Sequence, residues 1–287
     1  WLHIQDFELD AAFQLGLLRG DRIRGLAESW ERWVLLQFAR VSSISEAMVK
    51  HTVDKGIAPE KTILFPNWVD IEKITPQSEA GRMKNRFRLE LGLKPEQLVL
   101  LYSGSMNKKQ GLEMLVDVIK TLSHDKRLVW ILAGEGPGRT VLAEATGDLP
   151  QVQIMPLQPV ELINDWLNLA DVHLLPQKAA AADLVLPSKL LGIMASGRPV
   201  IAASPCGSTL GMMAEQAGCR VEPDDPTGFA DAVKLLTNNE EVRRRLGRNA
   251  RQMAEERFSK ERVLGRYEEE IAIAVSEQLV TSKGSVA

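Results

Sequence analysis

Residues 183–199, with the sequence DLVLPSKLLGIMASGRP, carry the side chains with the clearest potential for binding chemistry. Pro187 suits the first turn of a helix, where its missing N–H would have no partner. The predicted helix, 188–196, then begins with a hydroxyl and an ammonium group, on Ser188 and Lys189. Because a helix N-terminus presents unpaired N–H groups and a positive dipole end, this stretch predicts a phosphate site. An ordinary helix whose lysine faces water is the alternative.

Two further loops follow predicted strands of the same half of the chain. The loop 102–113 has the sequence YSGSMNKKQGLE and contains Gly104 and two lysines. The loop 133–138 has the glycine-rich sequence AGEGPG. Ligands of open α/β sheets bind at the carboxyl ends of the strands, so we expect all three loops at one edge. The glycine-rich loop lacks the P-loop Lys-Ser/Thr pair and the full dinucleotide fingerprint, and alone it indicates only backbone donors.

Acidic side chains follow the first predicted strand, residues 1–4. Asp6, Glu8 and Asp10 lie in the run QDFELD, at the edge where such a sheet would bind its ligand. These carboxylates could act as an acid or base, or hold a metal. They could equally be the solvated start of a helix, where acidic residues favour the dipole.

Composition excludes several classes of protein. A net charge of −3 argues against bulk binding of nucleic acid, which requires a basic surface. Two cysteines among 287 residues are too few for a disulfide framework and fit a reducing compartment, the cytoplasm. No nucleophile elbow, zinc-ligand spacing or kinase motif set occurs, so we expect neither a metal nor a cofactor.

Regular alternation of strands and helices in the second half predicts a parallel sheet covered by helices on both faces. The predicted strands are 98–104, 128–136, 152–156, 171–176, 199–203 and 219–223. The predicted helices are about 79–91, 111–123, 138–147, 159–169, 188–196, 208–217 and 226–237.

A length of 287 residues suits two domains. We expect the first at 1–74 and the second at 75–258, because the sequence becomes polar near this boundary. Residues 259–287 are expected to form a helix that packs back on the first domain. The chain opens on Trp1 in a strand-like run, so we expect the first domain to lack its beginning.

An amphipathic helix is predicted over 21–38, with Leu26, Trp30 and Trp33 among the apolar residues of one face and several arginines around it. A core helix with charged flanks is the favoured interpretation. Attachment to an anionic membrane surface is the alternative, since aromatic residues flanked by arginines suit that interface.

The motifs together resemble glycosyltransferase family 4, and within it a colanic-acid-type branch. The resemblance rests on HIQDFELDA, FPNWVD, YSGS followed by KQGLE, GEGPG, and AADLVLPSKL continuing to MASGRPV, and it runs from residue 1 to about 275. It implies the GT-B fold, in which two Rossmann-like doubly wound domains, the first incomplete here, are joined by a C-terminal crossover helix.

The resemblance also implies an activity. It is a retaining, metal-independent transfer of a sugar from a GDP- or UDP-linked donor to a lipid-linked or growing exopolysaccharide acceptor. The implied location is the cytoplasm, at the inner face of the cell membrane. Catalytic roles then fall to Asp6, Asp183 and Lys189, and donor-binding roles to Gly104, Ser105, Lys109, Gln110, Gly134, Glu135, Gly136, Leu157, Pro187, Ser188 and Leu190.

This chain departs from the family pattern at several positions. Ser105 and Gln110 replace an arginine and a lysine of many members, and Leu184 and Gly192 stand where many have paired glutamates. Asp183 is the nearest carboxylate that could contact the donor sugar instead. A non-catalytic scaffold of the same fold and a nucleotide-sugar epimerase therefore remain as alternative functions.

Overall fold

The computed structural model describes residues 1–7, 9, 10, 13, 20–107, 110–178 and 187–284, without the side chains of 21, 22 and 278–284. The chain divides into two compact units. Within the described ranges, the first unit holds residues 1–68 and 257–284, and the second holds 69–178 and 187–256.

The first unit is built on a parallel three-stranded sheet. Its strands β1 (Leu2–Ile4), β2 (Val41–Ser43) and β3 (Thr62–Leu64) lie side by side in chain order. Helix α1 (Asp21–Leu36) precedes β2, and α2 (Glu46–Asp54) connects β2 to β3. Since parallel strands need crossover connections, the helix between β2 and β3 is what allows them to pair.

The last helix of the chain, α12 (Lys260–Gly284), belongs to the first unit. Tyr267 stacks on Phe65, just beyond β3, with the ring centroids 4.0 Å apart, and meets the edge of Trp1 at 5.0 Å. This aromatic cluster attaches α12 to the strand ends of the first unit.

The second unit contains a six-stranded sheet in the order β6-β5-β4-β7-β8-β9, with every recorded pairing parallel. The strands are β4 (Leu98–Ser103), β5 (Leu128–Ala133), β6 (Val152–Met155), β7 (Val172–Leu175), β8 (Val200–Ala203) and β9 (Gly218–Val221). The chain runs outward from β4 to β6, then crosses to β7 on the other side of β4. The two Rossmann-like sheets confirm the predicted fold class.

Helices cover both faces of this sheet. They are α3 (Glu79–Met83), α4 (Arg86–Glu90), α5 (Glu113–Thr121), α6 (Gly138–Thr146), α7 (Ile163–Leu169), α8 (Lys189–Ala195), α9 (Thr209–Ala217), α10 (Pro226–Asn238) and α11 (Glu240–Arg257). Leu100 and Tyr102 of β4 join the apolar core on one face, and Val99 and Leu101 join the core on the other. Burial on both faces explains the continuous apolar runs of these strands.

The single helix predicted over 79–91 is wrong, because the segment forms the two short helices α3 and α4. Asn85 lies between them and caps α4, its Oδ1 accepting from the N–H groups of Phe87 at 3.0 Å and Arg88 at 3.3 Å. An asparagine that bonds to the following backbone begins a new helix and interrupts the old one.

The unit boundary lies at 68–69, six residues before the predicted position. Residues 69–77 are held by the second unit: Asn164 and Asn168 accept from the N–H groups of Thr75 and Gln77 at 3.0 and 2.9 Å. The polar stretch that suggested a linker is therefore a segment of the second unit, held in place by side-chain amides.

Helix α1 does not pack as the core helix that the sequence favoured. Leu26, Trp30 and Trp33 are 73%, 62% and 59% exposed, whereas Leu35 is buried in a cluster with Val41 and Ile57. The core interpretation is therefore wrong for the tryptophan face, because a neighbouring face of the same helix meets the sheet.

Candidate donor-binding site

The strand order places the switch point of the larger sheet between β4 and β7, where loops on the two sides of β4 diverge. Crevices outside the carboxyl ends of parallel strands at such points bind ligands in open α/β sheets. Gly104 follows β4 and Gly134 follows β5, and Leu157, two residues beyond β6, is half exposed. Two of the three predicted loops, 102–113 and 133–138, thus follow neighbouring strands at one edge of the sheet, and the predicted residue Leu157 follows the next strand.

Lys189 provides the cation at this edge. The Nζ atom lies 4.2 Å from the centroid of the Tyr102 ring, at the end of β4. A methyl group on Gly104 would come within 3.2 Å of Nζ, so the lysine lies directly against the backbone of Gly104. Burial lowers the pKa of Lys189 to about 7. An ammonium group that is partly removed from water and lies against an aromatic face is suited to bind an anion.

The loops that follow β4 and β5 pack against each other and are joined by backbone hydrogen bonds. Met106, which is fully buried, donates its N–H to the Glu135 carbonyl and accepts from the Gly138 N–H, both at 2.8 Å. A methyl group on Gly134 would lie 2.0 Å from the Gly104 carbonyl oxygen. The glycines of AGEGPG are therefore required by the packing of one loop on the other, a reason that the sequence did not reveal.

Two basic residues that the sequence analysis missed lie near the same strand ends. Arg139 forms an ion pair with Glu135 and donates to the Gly134 carbonyl at 3.2 Å. Lys178, three residues beyond β7, is 3.7 Å from Glu113. Arg139 occupies the first turn of α6, where a positive charge opposes the helix dipole. A basic residue at a position that the helix dipole disfavours suggests a binding function, and the sequence alone shows this for Arg139.

The remaining predicted donor-binding residues in the second unit differ in accessibility. Ser105, which accepts from the Tyr102 hydroxyl, and Ser188 are exposed, whereas Gln110 and Pro187 are half buried. Leu190 is fully buried, and its N–H donates to the Pro187 carbonyl at 2.9 Å. Since α8 has seven residues, its dipole is short, and Lys189 is the main source of positive charge there.

Two predicted site residues, Lys109 and Asp183, lie outside the described residues, as does Glu8. Asp6 is exposed just after β1 in the first unit. Asp10, expected as a solvated helix start or a ligand, instead pairs with other side chains: its Oδ2 lies 2.8 Å from His51 Nε2 and 2.9 Å from Lys55 Nζ. His51 and Lys55 lower the pKa of the Asp10 carboxyl, although burial acts to raise it.

Comparison with known proteins finds a family match within the second unit. Residues 97–239 match the family model described as "Glycosyl transferases group 1". The "Putative colanic acid biosynthesis glycosyl transferase WcaI" of Escherichia coli K12 is 34% identical over 279 residues, which is 93% of this chain and 66% of that protein.

Solved structures share the fold at low sequence identity. A glycosyltransferase from Rickettsia africae superposes with a TM-score of 0.72 and 14% identity, covering 86% of this chain and 66% of that one. Anabaena HepE, solved in complex with UDP and glucose, gives a TM-score of 0.66 and 18% identity, covering 82% and 63%. The chain thus spans just under two thirds of the length of these proteins.

Proposed function

The chain belongs to the group 1 glycosyl transferases, and from this premise we propose that it transfers a sugar from a nucleotide-sugar to a saccharide acceptor. The proposed reaction retains the anomeric configuration and needs no metal ion. The proposed product is a lipid-linked or growing exopolysaccharide, in keeping with the naming of the WcaI protein for colanic acid biosynthesis.

The position of Lys189 is the observation that carries this proposal. Its ammonium group lies beside Gly104 at the switch point, with no carboxylate partner among the described residues. In the proposed reaction, the bond from the sugar carbon to the diphosphate breaks and negative charge builds on the leaving phosphate. A fixed cation stabilises that charge in the transition state without reorganisation.

The proposed donor is linked to UDP or GDP. Support for a uridine nucleotide comes from HepE, which was solved with UDP and glucose and shares the fold. In our proposal the diphosphate lies along the ends of β4 and β5, between Lys189 and Arg139. The base is proposed to lie toward Leu157 at the end of β6, because an exposed apolar side chain suits a flat heterocycle.

We assign the acceptor chemistry to Asp6. Its carboxylate is proposed to take the proton of the acceptor hydroxyl while that oxygen bonds to the sugar carbon. Asp183 is proposed to accept hydrogen bonds from the donor sugar, since a carboxylate can accept from two hydroxyls. Asp183→Asn should then weaken binding of the nucleotide-sugar but leave binding of the bare nucleoside diphosphate unchanged.

A peripheral membrane contact through α1 is part of the proposal, at the inner face of the cell membrane. Leu26, Trp30 and Trp33 form an exposed apolar face, and Arg24 and Arg32 are exposed on the same helix. Aromatic side chains with basic neighbours suit the interface of an anionic bilayer. No helix in the described part of the chain has the length and apolar character needed to cross a membrane.

Mass spectrometry after incubation with a panel of UDP- and GDP-sugars and a bacterial lipid extract tests the transfer. We expect a lipid-linked saccharide heavier by one sugar, and a released nucleoside diphosphate. Lys189→Ala and Asp6→Asn should both abolish the product, while only Lys189→Ala should weaken nucleotide binding. Binding without turnover would indicate the non-catalytic scaffold, and a changed nucleotide-sugar with no acceptor product would indicate the epimerase.

A further inference from the structure

The opposite edge of the larger sheet contains a second charged site. A cavity of about 560 Å³ lies where β4, β7 and β8 begin, lined there by Leu98, Asp171 and Pro199. One face of α11 and the segment leading to α3 form its walls, so the cavity lies wholly within the second unit. The donor-binding loops are at the carboxyl ends of the same strands and take no part in it.

Arginine is the dominant lining residue of this cavity. Six arginines line it: Arg82, Arg198, Arg243, Arg244, Arg248 and Arg251. Five carboxylates also line it, but Glu79, Glu240 and Glu255 have side chains that are 58%, 59% and 47% exposed. Water screens charges at such exposed positions, so these acids neutralise the interior only weakly.

The buried carboxylate, Asp171, is fully occupied by other partners. It accepts from Arg82 Nε at 2.7 Å and Nη2 at 3.0 Å, from Arg88 Nη1 at 3.3 Å, and from the Val99 N–H at 2.8 Å. Asp171 therefore already binds two guanidinium groups, those of Arg82 and Arg88. The charges of Arg198 and Arg243 come in addition to these. The buried end of the cavity has more positive than negative charge.

Arg198 and Arg243 lack carboxylate bonds in the described part of the chain. Arg198 Nη2 reaches only the Gln77 carbonyl at 3.3 Å and Asn168 at 3.5 Å, and its buried Nε has no hydrogen-bond partner there. Arg243 donates to the Leu236 carbonyl at 2.7 Å. Burial lowers the pKa of both guanidinium groups, and the nearby Asp171 carboxylate offsets only part of that effect. Half-buried cations with unused donors are what a bound anion would satisfy.

We propose that this cavity binds a small phosphate-bearing anion, such as a diphosphate or a phosphorylated metabolite, at a site separate from the donor edge. Guanidinium groups match phosphate oxygens in pairs, which makes an arginine cluster better suited to phosphate than to a simple halide. The volume accommodates a ligand somewhat larger than pyrophosphate. Binding here would tie α11 to the start of β8, and this inference does not depend on the proposed function.

Calorimetry with pyrophosphate tests the proposal on the whole chain in a Lys189→Ala background, which weakens the donor edge. We expect this variant to bind one pyrophosphate. Adding Arg198→Gln should weaken that binding at least about tenfold, because it removes a charged donor from the half-buried end of the cavity. Adding Arg248→Gln, at an exposed lining position where water screens the charge, should weaken it by a smaller factor. Adding Arg245→Gln should change nothing, since Arg245 is an exposed residue of α11 that does not line the cavity.

A melting curve provides the second measurement. Pyrophosphate should raise the melting temperature of the Lys189→Ala protein above that in sodium chloride of equal ionic strength, and Arg198→Gln should remove most of the difference. Arg248→Gln, at an exposed lining position where the fold tolerates substitution, should reduce the difference by a smaller amount. Absence of binding to Lys189→Ala, or affinities of both the Arg198→Gln and Arg248→Gln variants equal to that of the Arg245→Gln variant, would overturn the proposal.

Discussion

Gly104 and Lys189 adjoin at the switch point of the larger sheet, where a methyl group on the glycine would lie 3.2 Å from Nζ of the lysine. Gly104 has φ 146°, a backbone conformation that residues with side chains rarely adopt. The glycine therefore has two functions: it ends β4 in an unusual conformation, and it leaves space for the ammonium group above the strand end.

Gly104→Ala should lower affinity for a nucleoside diphosphate at least about tenfold, because the new methyl group displaces Nζ and strains the loop. Calorimetry with UDP and GDP measures this change. Gly92→Ala is the matched control: Gly92 also has positive φ, 62°, but nothing lies within 4 Å of its methyl position. It should cost about 1 kcal/mol of stability and leave binding intact. Equal binding losses in both variants would mean that strain, not the lysine, explains the effect.

Affinity for a nucleoside diphosphate should fall as pH rises from 7 to 9. Lys189 has a pKa of about 7 in the free protein, and a bound diphosphate favours the charged form and raises that pKa. Binding above pH 7 therefore takes up a proton, and calorimetry in buffers of different ionisation enthalpy detects it. Lys189→Ala should show no such uptake. Proton uptake that persists in this variant would assign the effect to another group.

The same shift has an opposite consequence for folding. The pKa of Lys189 is lowered in the folded chain from 10.5 to about 7, so the unfolded chain binds more protons between these values. This lysine therefore makes the free energy of unfolding rise with pH across that window. Burial of Lys189 therefore lowers the free energy of unfolding at neutral pH, as is common for charged groups in functional sites.

Much of the second unit follows from sequence patterns alone. Its strands are apolar runs between turn signals, and both the parallel sheet and the loops at its carboxyl edge follow from their alternation with helices. Lys189 was predicted from the sequence as a phosphate ligand at that edge, whereas its contact with Tyr102 depends on long-range packing. Arg139 was missed, because a basic residue in the first turn of a helix is a weak signal and its hydrogen bond to the Gly134 carbonyl depends on the fold.

The buried charges could not be predicted from sequence. Asp171 forms one network with Arg82 and Arg88, which lie 89 and 83 residues before it in the chain, and no local pattern connects them. The exposed face of α1 was considered only as the alternative to a core helix, because its apolar spacing is the same in both cases. Periodicity identifies an apolar face and does not identify what covers it.

Arg251→Met should lower the free energy of unfolding by about 2–4 kcal/mol. The Arg251 guanidinium donates to the carbonyls of Ile74 at 2.7 Å, Ala195 at 2.8 Å and Ile71 at 3.1 Å. The substitution leaves three acceptors without a donor and frees the segment after the unit boundary from the end of α8. Urea unfolding measures the loss, and Arg245→Met, at an exposed position of the same helix, is the control. Similar stabilities of the two variants would contradict this account of the segment.

Trp30→Ser combined with Trp33→Ser should reduce flotation with vesicles containing anionic phospholipid by at least about tenfold, because each exposed ring would bury apolar area in the interface. Trp68→Ser is the control, since Trp68 is exposed elsewhere, against Lys260. Neutralising Arg22, Arg24 and Arg32 together should make the remaining binding less sensitive to salt. Flotation unchanged by the tryptophan substitutions would refute the membrane contact.

The role of Lys189 is tested by comparing the affinities for UDP and GDP with those for UMP and GMP, because only the diphosphates carry the second phosphate that Lys189 is proposed to hold. At least one diphosphate should bind about tenfold or more tightly than its monophosphate. In an Arg198→Gln background, which weakens the second anion site, Lys189→Ala should remove this preference without unfolding the chain. Equal affinities for mono- and diphosphate in the unsubstituted protein, or a preference that survives Lys189→Ala in the Arg198→Gln background, would contradict the role proposed for Lys189.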